Sequence, residues 1–287
     1  MRYGSVGDFI GAGAATGIKG PAAILFAEDD ALLAETIAHH LKLGFAHVLL
    51  MLPAGIDPPQ DGDGRLTAIT WAPQALDGVA EALTRLFAAL PQDPWIYWGY
   101  NAEFLFFPFC EGRRIGELLA FHSEERRSAM MCHVVDLYAD DLAAFPDAVS
   151  LDRAMFDRSG YYAMQRFRDG VALERQMDIF GGLRRRFEEH VPWTRRRIDR
   201  VALIRSDRGL KMRPDLTLND EERNTVNCPW HNNLTAAVLS FRAARALRSN
   251  PGSKWAISDF RWSGSVSFDW SSKQLMELGL MEPGQWF

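Results

Sequence analysis

The stretch Trp95–Pro108, WIYWGYNAEFLFFP, constrains the fold more than any other part of the chain. Nine of its fourteen residues are Trp, Tyr, Phe, Leu or Ile. Gln92-Asp93-Pro94 before it and Glu111-Gly112 after it are turn signals. An apolar run bounded this way predicts a central strand buried on both faces, the kind found in α/β sheets covered by helices on either side. Tyr100, Asn101 and Glu103 lie inside the run. Polar groups at the end of a buried strand need partners or a task, and open α/β sheets collect ligands at the carboxyl ends of their strands.

The flanking chain repeats the strand–helix alternation. Pro21–Ala27 (PAAILFA) predicts a first buried strand, and Glu28-Asp29-Asp30 leads into a helix that reaches Leu43 and is stopped by Gly44. Asp29 or Asp30 is expected to cap that helix. Ala46–Leu52 (AHVLLML) predicts a second strand, which completes a βαβ unit with a parallel sheet. Leu66–Trp71 predicts a third strand, Leu76–Leu90 an amphipathic helix, Ile115–Arg127 a helix and Met130–Tyr138 another buried strand. Further on, Asp140–Tyr162 reads as irregular and acidic, Val201–Ile204 as a short strand and Leu234–Leu247 as a helix ended by Asn250-Pro251-Gly252. The tail from Trp255 to Phe287 holds Trp255, Trp262, Trp270 and Trp286, a composition expected of ordered structure.

Composition narrows the class. The 287 residues are 47% apolar, which suits a globular protein with a substantial core. A net charge of -5 argues against general nucleic-acid binding. Cys110, Cys132 and Cys228 fit no zinc spacing, and a sparse, odd set of cysteines predicts reduced thiols and a cytoplasmic protein. The N-terminal MRYGSVGDFIGAGAATG has no long apolar core, so neither a signal peptide nor a membrane span is expected from it. Gly11, Gly13 and Gly17 have the wrong spacing for a dinucleotide-binding turn and follow no strand, so residues 1–20 read as a flexible lead-in.

Two segments carry a family resemblance. The 95–108 stretch resembles the metal-site strand of family 2 glycosyltransferases with the GT-A fold, in the branch with the pattern W-x-x-x-x-D-x-D-E-F-L-x-x-P. Trp95, Glu103, Phe104, Leu105 and Pro108 match it, while Tyr100 and Ala102 occupy the two aspartate places. The same branch opens with a strand, an N-E pair and a helix ending in E-W-x-x-H-H-x-x-x-G-F. Glu28-Asp29, Glu35, His39, His40, Gly44 and Phe45 stand in that register. Its aspartate-rich second strand end is replaced by Met51-Leu52-Pro53-Ala54-Gly55. The resemblance spans roughly 22–240. It implies a GT-A-like three-layer sandwich with a mostly parallel central sheet over 21–248, followed by an aromatic extension, 249–287, packed on the core. It implies transfer of a sugar from a nucleotide-sugar to a glycan or lipid-linked acceptor. The missing aspartates imply no cofactor and no divalent metal. The alternative is a catalytically silent GT-A domain that binds a glycan or a protein.

Each candidate residue has two readings. Glu103 takes the acceptor proton, or it pairs with an arginine. Glu28 and Asp29, with Tyr100 and Asn101, meet the nucleotide or sugar at the strand ends, or the acids serve the helix that follows. Adjacent helical residues do not share a face, so His39 and His40 cannot hold one metal between them. His231, in Asn227-Cys228-Pro229-Trp230-His231, is expected near the diphosphate or in a structural role. From Arg184 to Arg213 eleven cations are diluted by four acids. That run is a solvated face, a contact for an anionic membrane, or the source of arginines that hold the diphosphate. Arg184, Arg185 and Arg186 are the first choices for the last role.

Overall fold

The structure is a computed structural model that describes residues 1–60, 62–72, 78–91, 94–226 and 234–286. Its elements begin with β1 (Arg2–Tyr3), α1 (Val6–Gly11), β2 (Ala22–Phe26), α2 (Leu33–Leu43), β3 (His47–Leu52), β4 (Leu66–Thr70), α3 (Gly78–Ala89) and β5 (Trp95–Tyr100). They continue with β6 (Glu103–Phe106), α4 (Ile115–Glu124), β7 (Ala129–Ala139), β8 (Ala154–Asp157), β9 (Tyr162–Arg168), β10 (Val171–Phe180), α5 (Gly182–Arg186) and β11 (Asp199–Arg205). The last are β12 (Ala236–Ser240), α6 (Arg242–Ser249), α7 (Pro251–Lys254), β13 (Ser265–Ser267) and α8 (Ser272–Glu277). The chain forms two compact units. The first comprises Met1–Ala102, Gly112–Met131 and Val201–Asn224; the second comprises Glu103–Glu111, Cys132–Arg200 and Thr225–Phe287.

In the first unit the strand order is β1-β4-β3-β2-β5-β11. Every pairing from β1 to β5 is parallel, and β11 runs antiparallel to β5 with Leu203 opposite Tyr97. From β2 the chain steps outward to β3 and β4, then returns to the other side of β2 for β5. The order therefore reverses between β2 and β5. Right-handed crossovers place the helices before and after such a reversal on opposite faces of the sheet. β2 and β5 are buried at every position. Side chains alternate across β5: Tyr97 stacks on His40 of α2 at 4.7 Å, while Trp98 points the other way and donates Nε1–H to the Val201 carbonyl at 2.7 Å. Gly44, at φ 101°, ends α2 as expected, because a left-handed cap costs glycine little.

In the second unit β6 pairs antiparallel with β12, and β12 pairs parallel with β7. The end of β7 pairs antiparallel with β8, and β8 with β13. β9 and β10 form a separate hairpin. Tyr138, Leu142, Leu183, Ala244, Leu247, Ile257 and Phe260 pack into one core. The tail gives Ile257 and Phe260 to this core, while Phe268 packs against Phe106 and Phe156, and Trp270 against Phe104.

The chain is thus an α/β protein with a mixed, largely parallel sheet, and several local expectations need correction. The 95–108 run is two strands rather than one. Ala102, fully buried at φ 56°, turns the backbone out of line after Asn101, so β5 belongs to the first unit and β6 to the second. Residues 1–20, expected as a flexible lead-in, carry α1, whose Phe9 is 1% exposed and packs edge-on against Tyr3. Leu234–Leu247 is not one helix. Ala236–Ser240 is a strand buried on both faces, and α6 starts at Arg242. A short, wholly apolar run has no period that separates strand from helix, and parallel pairing with β7 decides the matter here. The two compact units interleave along the sequence. α3 begins at Gly78; residues 73–77, which include the expected helix start at Leu76, lie outside the described residues.

The turn at Ala102 yields a direct test. A left-handed residue that carries a Cβ is strained by about 1–2 kcal/mol, and a branched side chain there is worse. Ala102→Gly is expected to raise or preserve the midpoint of urea unfolding, whereas Ala102→Val is expected to lower stability by more than about 2 kcal/mol. Equal midpoints for the two variants would mean that the turn is not held in this conformation.

Candidate functional site

The reversal of strand order in the first unit places the ends of β2 and β5 side by side. Asn101, just past β5, donates its backbone N–H to the Phe26 carbonyl at 3.1 Å. Its side chain then holds the loop that leaves β2. Asn101 Oδ1 accepts the Glu28 N–H at 2.9 Å, and Nδ2 donates to Asp29 Oδ1 at 2.7 Å and to the Ala31 carbonyl at 3.0 Å. Asn101 is fully buried, Asp29 half-buried and Glu28 exposed. Of the residues expected here, Asn101 is therefore a latch, and the acids on the loop are the groups presented at the edge. Tyr100 is nearly buried, its ring 6.1 Å from both Phe26 and Trp98.

Neither Asp29 nor Asp30 caps α2. The N-cap is Leu32, at φ 49°, with no side-chain cap. Asp29 Oδ1 instead closes a turn on the Ala31 N–H at 3.0 Å. Thr36 Oγ1 donates to the Leu32 carbonyl at 2.6 Å and accepts the Ala102 N–H at 3.0 Å. The first turn of α2 is thereby tied to the turn that follows β5.

In the second unit Glu103 is the first residue of β6 and has no exposed surface. The Arg200 fork meets it with both nitrogens, Nη1 at 2.5 Å from Oε2 and Nη2 at 3.0 Å from Oε1. Ser240 Oγ donates to Oε1 at 3.1 Å, and Arg242 Nη1 lies 3.8 Å away. This geometry suits the ion-pair reading of Glu103. The lone pairs of this water-sealed carboxylate are engaged by charge-assisted hydrogen bonds, as a buried ion pair requires.

Glu103 stands directly opposite Ser240, and Ser240 directly opposite Asp136 on β7. Three polar residues thus form a row across an otherwise apolar sheet. Burial pushes the Asp136 carboxyl up, and the Arg184 guanidinium, with Nε 3.4 Å away, opposes the shift. Asp157, at the end of β8, forms a second buried node. Its Oδ1 accepts from Tyr138 Oη at 2.6 Å, from Trp262 Nε1 at 2.7 Å and from Arg186 Nη1 at 3.0 Å. Burial and the neighbouring Asp157 charge push the Tyr138 phenol well up.

The arginine triplet therefore divides by partner. Arg184 serves Asp136, Arg186 serves Asp157, and Arg185 pairs with Glu188 at 2.7 Å with both side chains more than a third exposed. Sequence reasoning missed Asp136, Asp157 and Arg200. The signal that singled out Glu103, an acid inside an apolar strand, was equally present at Asp136 in MMCHVVDLY. His231 lies outside the described residues. Among the described residues, no group of three or more His, Cys, Asp or Glu is arranged to hold a metal ion. No protein-family model matches the chain, and no curated protein matches it.

If Glu103 is structural, its removal leaves a guanidinium buried without this carboxylate, a change that costs about 3–5 kcal/mol. Glu103→Ala is expected to lose that much in urea unfolding, and Glu103→Gln, which keeps one acceptor oxygen, somewhat less. A loss below about 1 kcal/mol would show that the acid is not needed for folding and would return it to the functional candidates.

Proposed function

We propose that the chain is a nucleotide-sugar-dependent glycosyltransferase of GT-A type, with the nucleotide at the ends of β2 and β5. The observation that carries this reading is Asn101, whose buried amide fixes the Glu28–Ala31 loop where the strand order reverses. Crevices of this kind are where open α/β sheets bind ligands, and carboxylates there accept hydrogen bonds from ribose hydroxyls or base N–H groups. The motif resemblance in residues 28–45 and 95–108 supports the same reading. Tyr100 and Ala102, in the two aspartate places of that motif, favour donor binding without a divalent metal. The acceptor is a glycan or a lipid-linked glycan. Contact with an anionic membrane through Arg184–Arg213 belongs to this reading on the cytoplasmic side, although Arg184, Arg186, Arg197 and Arg200 of that run already serve acids within the fold. Among the described residues, no helix is long and apolar enough to cross a membrane.

The second reading, a catalytically silent domain that binds a glycan or a protein, is favoured by one observation: Glu103, the expected base, is committed to Arg200. Thermal shifts with UDP, GDP and CDP separate the two. Under the transferase reading, one nucleotide at about 100 times its Kd adds about 2.7 kcal/mol to stability, with or without manganese. Asn101→Ala, which frees the loop, is expected to remove most of that shift. If none of the three nucleotides moves the melting temperature, the silent-domain reading replaces the transferase.

A further inference from the structure

We propose that the cleft around Asp157 in the second unit is a binding site for a neutral saccharide. The cleft is open to solvent and has a volume of ≈ 470 Å³, within the usual range of small-ligand sites. Asp157, Tyr161, Tyr162, Arg185, Arg186 and Trp262 line it.

The walls are fixed before any ligand arrives. Trp262 is oriented by its Nε1 hydrogen bond to Asp157, and Tyr161 by its hydroxyl, which donates to the Asp157 carbonyl at 2.9 Å. Both rings lie directly on glycine backbone. A Cβ at Gly181 would come within 2.1 Å of the Tyr161 ring, and one at Gly264 within 2.3 Å of the Trp262 ring. Tyr162 is held from behind by Phe180, stacked at 5.3 Å, and Phe180 in turn stacks on Trp193 at 5.4 Å. Aromatic rings locked in this way do not lose side-chain freedom on binding, which lowers the cost of association.

The same rings remain open to solvent. Trp262 is 41% exposed and Tyr162 is 42% exposed. The face of Tyr162 opposite Phe180 supplies flat apolar surface with a polar edge, which fits the C–H face of a pyranose ring, while Trp262, backed by Gly264 and covered by Arg186, contributes its exposed edge. Hydroxyls find partners in the side chain of Ser159, the phenol of Tyr162 and the guanidinium of Arg185.

Charge plays little part in selecting the sugar. Arg186 is matched by Asp157, and its guanidinium also covers one side of the Trp262 ring at 5.1 Å. Arg185 pairs with Glu188, which Arg196 shares. Arg185 and Glu188 are both solvent-exposed, where one unbalanced charge is screened and contributes little, so shape and hydrogen bonding rather than charge select the ligand and favour a neutral saccharide. This inference holds under either reading of function, because it rests on residues of the second unit alone.

The test is calorimetric titration of the full chain with linear trisaccharides of glucose, galactose, mannose and N-acetylglucosamine. At least one is expected to bind saturably with Kd at or below about 1 mM, a free energy near −4.1 kcal/mol. Tyr162→Ala is expected to weaken binding about tenfold, whereas Trp255→Ala, which removes an exposed tryptophan outside the cleft, leaves it unchanged. Trp262→Phe keeps the ring and loses the Nε1 donor; far-UV circular dichroism confirms its fold, and it too is expected to weaken binding. Asn101→Ala should not affect saccharide binding, so failure of the nucleotide site remains distinguishable from failure of this one. The proposal is overturned if no trisaccharide binds below about 10 mM, if Tyr162→Ala binds like the parent, or if a uronic-acid trisaccharide binds more tightly than every neutral one.

Discussion

The buried pair of Glu103 and Arg200 is the interaction on which the second unit depends most directly. A carboxylate with no exposed surface cannot be left alone, since its desolvation costs several kcal/mol. Arg200 answers it with two nitrogens in the planar arrangement that a carboxylate accepts, and Ser240 occupies part of the remaining acceptor capacity. Because the charge is useful only if all three groups arrive together, the pair ties the start of β6 to the end of β12 and to the chain that carries Arg200. A hydrophobic substitute would pack as well, but it would not demand that one alignment.

The same rule is applied repeatedly. Asp136 has Arg184, Asp157 has Arg186, and Arg166 holds both Asp178 and Asp199. Four of the eleven cations in the run that begins at Arg184 are therefore counter-ions to acids within the fold, while Arg185, Arg195, Arg208 and Lys211 are exposed. Local charge density in sequence does not translate into surface potential when the compensating acids are supplied from distant segments.

A different economy governs the edge of the first unit. One asparagine there satisfies its own amide and, in doing so, shapes a loop that bears three acids, Glu28, Asp29 and Asp30. The left-handed turn at Ala102 follows at once and sends the chain into another unit. A single dipeptide thus ends a buried strand, holds the loop that leaves its neighbour and turns the backbone.

Period, composition and turn chemistry were enough to place β2, α2, β3, β4, β7 and the helical stop at Gly44, because each depends on contacts local in sequence or on a simple alternation of apolar side chains. The presence of unusual polar groups near 100–103 was equally legible, since a buried apolar run makes any acid or amide conspicuous. What those groups do was not legible. The partner of Glu103 lies ninety-seven residues away, and that of Trp262 one hundred and five. The strand at Ala236–Ser240 could not be told from a helix until β7 and β6 flanked it. Sequence by itself determined which segments must be buried and that an α/β sheet would bury them. Only the tertiary structure decided which charges neutralise one another and which aromatic faces stay open, because pairing across long loops depends on where the folded backbone brings distant residues together, and no local pattern records that distance.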